Sequence, residues 1–288
     1  MNIETFFDTR TFTMTYLIWD ADTKDALVID AVIDYDPEDS RVWYESVDKV
    51  DAVILENALT LHYVLETHAH ADHLSGAQEL KRRHPGAKIA IGDKIHMVQE
   101  VFKPVFELGD DFQTDGSQFD QLLADNEILK AGAIEIKAIA TPGHTPACMS
   151  FLIEDAVFTG DALFLPDSGT GRCDFPAGSA DDLYRSVQER LYSLPDETRV
   201  FVGHDYQPGD RGVQFESTIG EEKAANIQLT GQTSREAFVD LRNTRDATLD
   251  APRLLFQSVQ VNIDAGNLPA GSTESKAKLR TPAQRRAS

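Results

Sequence analysis

The sequence predicts a single α/β domain in which layered sheets are flanked by outer helices. Segments of strand character alternate with segments whose apolar residues recur at helical spacing. Histidines and aspartates gather in short polar motifs directly behind the predicted strands. The chain has 288 residues, 41% of them apolar, which is enough to bury a substantial core, and no repeat at a solenoid period runs through it.

The elements follow in order. The β-branched and aromatic run Thr13–Trp19 and the apolar run at 26–29 predict a hairpin across the polar DADTKD turn. Helix-like spacing over 42–59 leads into a buried strand at 61–65, then a helix over 74–83 and a strand at 88–91. Residues 127–129 and 134–139 read as strands around a turn at 130–132, and Met149–Ile153 with Ala156–Phe158 reads as another hairpin. Ser179, with Asp182 three residues on, is the expected N-cap of a helix over 180–191. A strand at 200–202 precedes helical patterns around 215–229 and 234–244. The expected organisation is a domain over 1–250, an extension over 251–270 packing on it, and a flexible basic tail over 271–288.

Charge and cysteine content exclude several classes. A net charge of −21 argues against nucleic acid, because phosphate recognition needs a basic face. Two cysteines, Cys148 and Cys173, are too few for a disulfide framework or a four-cysteine zinc site, and both read as packing residues. The opening MNIETFFDTR has no basic segment followed by an apolar one, and no apolar run approaches the ~20 residues of a membrane span. A cytoplasmic protein is expected.

The chemistry lies in THAHADH, residues 67–73, which places His68, His70, Asp72 and His73 within six positions. His144 in TPGHT, Asp161 in FTGD and His204 in GHDY each follow a predicted strand in the same way. Imidazoles and carboxylates converging from separate rigid elements are what a metal site requires. Gly143 and Gly160, just before His144 and Asp161, suit tight turns or close backbone approach. His62, His84 and His96 read as ordinary surface or core residues.

These motifs resemble the metallo-β-lactamase superfamily over nearly the whole chain, to about residue 250. The resemblance implies an αββα sandwich with a metal site at one sheet edge. In the two-zinc hydrolases of that family, His68, His70 and His144 would hold one ion and Asp72, His73 and His204 the other. Asp161 would bridge them, and a water between the ions would serve as hydroxide nucleophile.

The stretch TGDALFLPDSGTGRCDFPAGSADDLYRSV is similar to two relatives, the glyoxalase II thioesterases and the persulfide dioxygenases. Both use glutathione-derived substrates and share a G-x-G-R element, here residues 169–172. Asp174-Phe175 after the arginine, and His-Asp-Tyr at 204–206, are closer to the dioxygenases. The late sequence resembles their bacterial β-lactamase-like hydrolase type. That resemblance implies one Fe(II) per chain on His68, His144 and Asp161, and oxidation of glutathione persulfide by O₂ to sulfite and glutathione. His70, Asp72, His73 and His204 would then orient the ligands and fix imidazole tautomers.

Arg172, Tyr206 and Arg211 are the candidates for gripping substrate; an ion pair with Asp174 is the other reading of Arg172. A binuclear zinc hydrolase is the alternative enzyme, and a metal-bound sensor without turnover is a third class. The expected partners are a thiol or persulfide of glutathione type and O₂, with no nucleic acid and no membrane; a homodimer is compatible with the family.

Overall fold

The computed structural model describes residues 1–272 and 277–279. The first half of the chain contains β1 (Asn2–Asp8), β2 (Thr13–Trp19), β3 (Asp25–Ile29), β4 (Val32–Asp36) and β5 (Arg41–Trp43). These are followed by α1 (Glu45–Glu56), β6 (Thr60–Leu65), β7 (Leu74–Ser75), α2 (Ala77–Arg83), β8 (Lys88–Gly92), α3 (Ile95–Val105) and β9 (Gln121–Leu123). The second half begins with β10 (Ile128–Ala131), β11 (Ile134–Ala140), β12 (Met149–Ile153) and β13 (Ala156–Phe158). Helix α4 (Ala180–Arg185) continues into a π-helical turn, Ser186–Leu191. Then come β14 (Arg199–Phe201), β15 (Glu216–Thr218), α5 (Ile219–Ala225), α6 (Arg235–Asp246) and α7 (Leu255–Asn262).

One six-stranded sheet has the order β1-β2-β3-β6-β8-β9, and a second has β10-β11-β12-β13-β14-β15. Side-chain alternation along the strands builds the layers. On β2, Met14, Tyr16 and Ile18 face the second sheet, where they meet Phe151, Phe158 and Phe201. Leu17 points the other way, into a layer shared with Val47 and Val50 of α1, Val98 of α3 and Val259 of α7. Across the molecule, Val157 and Val200 pack beneath Leu183 of α4, Val187 and Phe238 of α6. The result is an αββα sandwich, as expected. Tyr16 ties its halves together: its ring meets Phe158 edge-on at 5.0 Å, and its hydroxyl donates to Val202 O at 2.6 Å. Burying each such side chain contributes about 1.5–3 kcal/mol.

Several element boundaries differ from the sequence reading. The helix expected over 74–83 starts at Ala77, because Leu74 and Ser75 first pair with Ile33 and Val32 of β4. Residues 41–43 form a strand against β4, so the helix within 42–59 is confined to Glu45–Glu56. Strand β10 runs on through Ala131, and the turn shrinks to the two residues between it and Ile134. Within 215–229, Glu216–Thr218 completes the edge of the second sheet, and Thr218 then caps α5 reciprocally with Glu221. Ser179 does cap α4, accepting from Asp182 N.

Among the described residues no helix is long and apolar enough to cross a membrane. Of the basic tail expected to be flexible, residues 273–276 and 280–288 lie outside the described residues. Ala277 is buried, and its amide donates to Ser40 O at 2.8 Å.

Candidate metal centre

The donors leave strand ends at one edge of the sandwich. His68, His70 and His73 follow β6, His144 follows β11, Asp161 follows β13 and His204 follows β14. Backbone bonds join the two sheets at this edge. Met14 N donates to Gly203 O at 2.9 Å, and Met149 N to Thr67 O at 2.8 Å. The two glycines are required by geometry. A Cβ on Gly143, whose φ is 147°, would meet Leu183 Cα at 2.4 Å; one on Gly160, at φ 50°, would meet Thr67 Oγ1 at 2.5 Å.

Hydrogen bonds set the tautomers, because a carbonyl oxygen can only accept. His144 Nδ1 donates to Arg172 O at 2.7 Å, His73 Nδ1 to Leu74 O at 3.3 Å and His204 Nδ1 to Phe12 O at 3.3 Å. Thr67 Oγ1 donates to Asp30 at 2.8 Å, which leaves it to accept from His68 Nδ1 at 3.0 Å. In all four rings the proton sits on Nδ1 and the Nε2 lone pair is free.

Three of those free atoms are buried and unsatisfied. His68 Nε2, His73 Nε2, His204 Nε2, Asp72 Oδ2 and Asp161 Oδ1 are buried without a hydrogen-bond partner, as is Nδ1 of His70. An unmet buried group costs about 1–3 kcal/mol, so a cluster of them calls for a cation. Ligand atoms of His68, His144 and Asp161 all lie within 4.8 Å of one another; so do those of His70, Asp72 and His73, and those of Asp30, Glu66 and His70. Burial and the neighbouring imidazoles hold His68 well below the usual histidine range and His73 down at about 4, which keeps both in the neutral, metal-binding form. The donor set fits a metal cofactor.

His70 differs from the other histidines. Its Nε2 lies 3.0 Å from Asp30 Oδ1 and 3.6 Å from Glu66 Oε2. Burial opposes a charge on the ring, but these carboxylates outweigh it and push the pKa up to about 9. Burial pushes Glu66 up to about 8. Asn262, the last residue of α7, fastens this loop from behind: its Nδ2 donates to His70 O and His73 O at 2.8 Å each, and its Oδ1 accepts from Ser75 N at 2.8 Å.

Asp30, Glu66, Thr67 and Asn262 were not among the sequence candidates. Asp30 stands directly behind β3 as Asp161 stands behind β13, so the same signal marks it. A lone asparagine closing an apolar helix gives none. The histidines read as ordinary are engaged elsewhere: His62 pairs with Asp25, His84 with Asp51, and His96 with Asp93 O.

A cavity of about 880 Å³ opens onto His144, Asp161 and Asp72. Arg172 and Tyr206 line it, and Tyr206 stacks on His204 with ring centroids 5.6 Å apart. Arg172 does form the ion pair with Asp174, through two bonds of 2.6 Å, and gives a third to Asp250 O at 2.7 Å. Arg211 is not among the lining residues; its guanidinium is committed to Asp167 and Asp205. Arg245 and Arg253, absent from the sequence candidates, do line the cavity and have no carboxylate partner among the described residues. Both cysteines are buried, and burial pushes each thiol up to about 12, as inert packing residues require.

Comparison with known proteins adds three findings. The model of the metallo-beta-lactamase superfamily matches residues 8–204. Glyoxylase B2 of Dictyostelium discoideum is 46% identical over 93% of this chain and 91% of its own, and the human mitochondrial persulfide dioxygenase ETHE1 is 31% identical over 90% and 87%. A crystal structure of ETHE1 from Myxococcus xanthus matches with a TM-score of 0.74 and 32% identity, covering 93% of this chain and all of that one.

Replacing Asp161 by alanine is expected to abolish metal retention through desalting. His68→Ala should do nearly the same, whereas His70→Ala should weaken binding only about 10–100-fold. Metal analysis of the three variants checks this; equal losses at His68 and His70 would argue for a two-ion site.

Proposed function

The chain belongs to the metallo-beta-lactamase superfamily, and from that premise we propose that it is an Fe(II)-dependent persulfide dioxygenase acting on glutathione persulfide. One observation carries the reading. His68, His144 and Asp161 form a compact group of two histidines and one carboxylate, the donor set of non-haem iron oxygenases. His70, Asp72 and His73 form a group of the same composition, but His144 and Asp161 of the first group both open onto the cavity, whereas only Asp72 of the second does. The similarity to a persulfide dioxygenase over nine-tenths of the chain supports the same branch.

Ferrous iron held by these residues would supply the redox change that zinc lacks, together with open positions for O₂ and substrate. The protein's own groups do the rest. Asp30, through Thr67, and the Arg172 carbonyl hold the His68 and His144 rings with Nε2 presented to the ion. Tyr206 closes the cavity side of His204 and carries a hydroxyl that can bind substrate. The reaction balances as persulfide plus O₂ plus water giving thiol, sulfite and two protons. The S–S bond breaks, the outer sulfur is oxidised and O₂ takes four electrons.

The cavity is large for a bare persulfide and suits a peptide-sized thiol. In a chain of net charge −21, two arginines at that cavity that have no carboxylate partner among the described residues supply sites for the substrate's carboxylates. The second reading, a binuclear zinc thioesterase, is favoured by the similarity to a glyoxylase and by the free donors of Asp72, His73 and His204.

Oxygen uptake with glutathione persulfide is expected from anaerobically iron-loaded protein, with sulfite formed in equal amount. Hydrolysis of S-lactoylglutathione by zinc-loaded protein, with no oxygen uptake by the iron form, would replace this reading with the second. Arg245→Gln combined with Arg253→Gln should raise KM for glutathione persulfide about tenfold, with kcat little changed. An unaltered KM would remove these arginines from the substrate site.

A further inference from the structure

The G-x-G-R element, Gly169–Thr170–Gly171–Arg172, touches two of the three proposed ligands through its backbone. Gly171 N donates to Asp161 O at 3.1 Å, and Arg172 O accepts from His144 Nδ1 at 2.7 Å. The approach is too close for a side chain, since a Cβ on Gly171 would lie 2.2 Å from Asp161 O. The loop can orient those donors only if it is itself held.

What holds it lies beyond residue 204, where the superfamily match ends. Arg242 of α6 is 1% exposed; its Nη1 donates to Thr170 O at 3.0 Å and to Gln228 Oε1 at 2.8 Å. Gln228 Oε1 in turn accepts from Thr170 N at 3.1 Å. One turn along α6, Asp246 pairs with Arg242 and accepts from Cys173 N at 2.7 Å. The pair thus grips the loop on both sides of Arg172.

A buried ion pair is weak as a stabiliser, because an apolar pair of similar volume often does as well or better. An apolar pair could not place a donor at Thr170 O and an acceptor at Cys173 N. We propose that Arg242 and Asp246 are positioning residues for the metal centre, fixing the Arg172 carbonyl that sets the His144 tautomer and the Gly171 amide that anchors Asp161. The proposal rests on His144 and Asp161 being ligands, and it is independent of whether the ion is iron or zinc and of the reaction.

The test separates positioning from stability. Arg242→Met with Asp246→Leu removes both charges together but leaves Thr170 O and Cys173 N without partners, so the melting temperature of the metal-free protein should fall, and the comparison is made with a core variant of similar stability loss. Affinity for ferrous iron, and separately for zinc, should fall about 10–100-fold in chelator competition. Phe238→Leu, a core change on the same helix, should lower stability without lowering metal affinity. Unchanged affinity in the double variant, or an equal loss in Phe238→Leu, would overturn the proposal. A second measurement uses the unaltered protein. Because coupling is reciprocal, metal binding should strengthen the brace and slow hydrogen exchange at the Cys173 amide, which Asp246 binds. Exchange there that is indifferent to metal would overturn the proposal equally.

Discussion

Four imidazole rings share one constraint: each has its Nδ1 proton bound to a carbonyl or hydroxyl of the protein, so each presents an Nε2 lone pair toward the same buried edge. Lone pairs and carboxylates brought together in that position repel one another. Only a cation makes the arrangement favourable, and the hydrogen bonds fixing the tautomers prevent the rings from escaping it.

The sandwich is organised to meet this constraint. Donors come from the ends of strands in both sheets, so their spacing depends on how the sheets are joined at that edge. The bonds from Met14 to Gly203 and from Met149 to Thr67, with the Tyr16 hydroxyl on Val202, set that distance. Glycines at 143 and 160 let the backbone pass where a methyl group would strike Leu183 or Thr67. Helices that supply no donor contribute from behind. Asn262 of α7 fastens the loop holding His70 and His73, while Arg242 and Asp246 of α6 fasten the loop against His144 and Asp161.

How far this could be read from sequence depends on how local each feature is. The strands, the layered α/β class and the convergence of His68, His144, Asp161 and His204 follow from short apolar runs with polar motifs at their ends. Boundaries failed where pairing overrode local pattern: Leu74 and Ser75 look helical but meet β4, and Glu216–Thr218 looks helical but completes a sheet. In sequence, Arg172 is a candidate for a substrate carboxylate through its G-x-G-R element, with an Asp174 ion pair as the other reading, and it both forms that pair and lines the cavity; Arg211, the weaker candidate, does not line it. Their acidic partners sit at positions 167, 174 and 205, and only the fold brings 167 and 205 onto the same guanidinium. Asn262, Arg242, Arg245 and Arg253 act across separations of about 70 residues or more, or line a cavity that exists only once the chain is folded, and no local pattern marks them.

The proposed chemistry turns on how many ions the donors hold. One ion on His68, His144 and Asp161 leaves room for O₂ and a persulfide together, whereas a pair using all seven donors suits hydrolysis. X-ray absorption at the iron edge, on protein loaded anaerobically with ferrous iron, reads this directly. The account predicts a coordination shell of nitrogen and oxygen that includes two imidazoles, with no metal neighbour. A second metal at about 3.5–4 Å would contradict it.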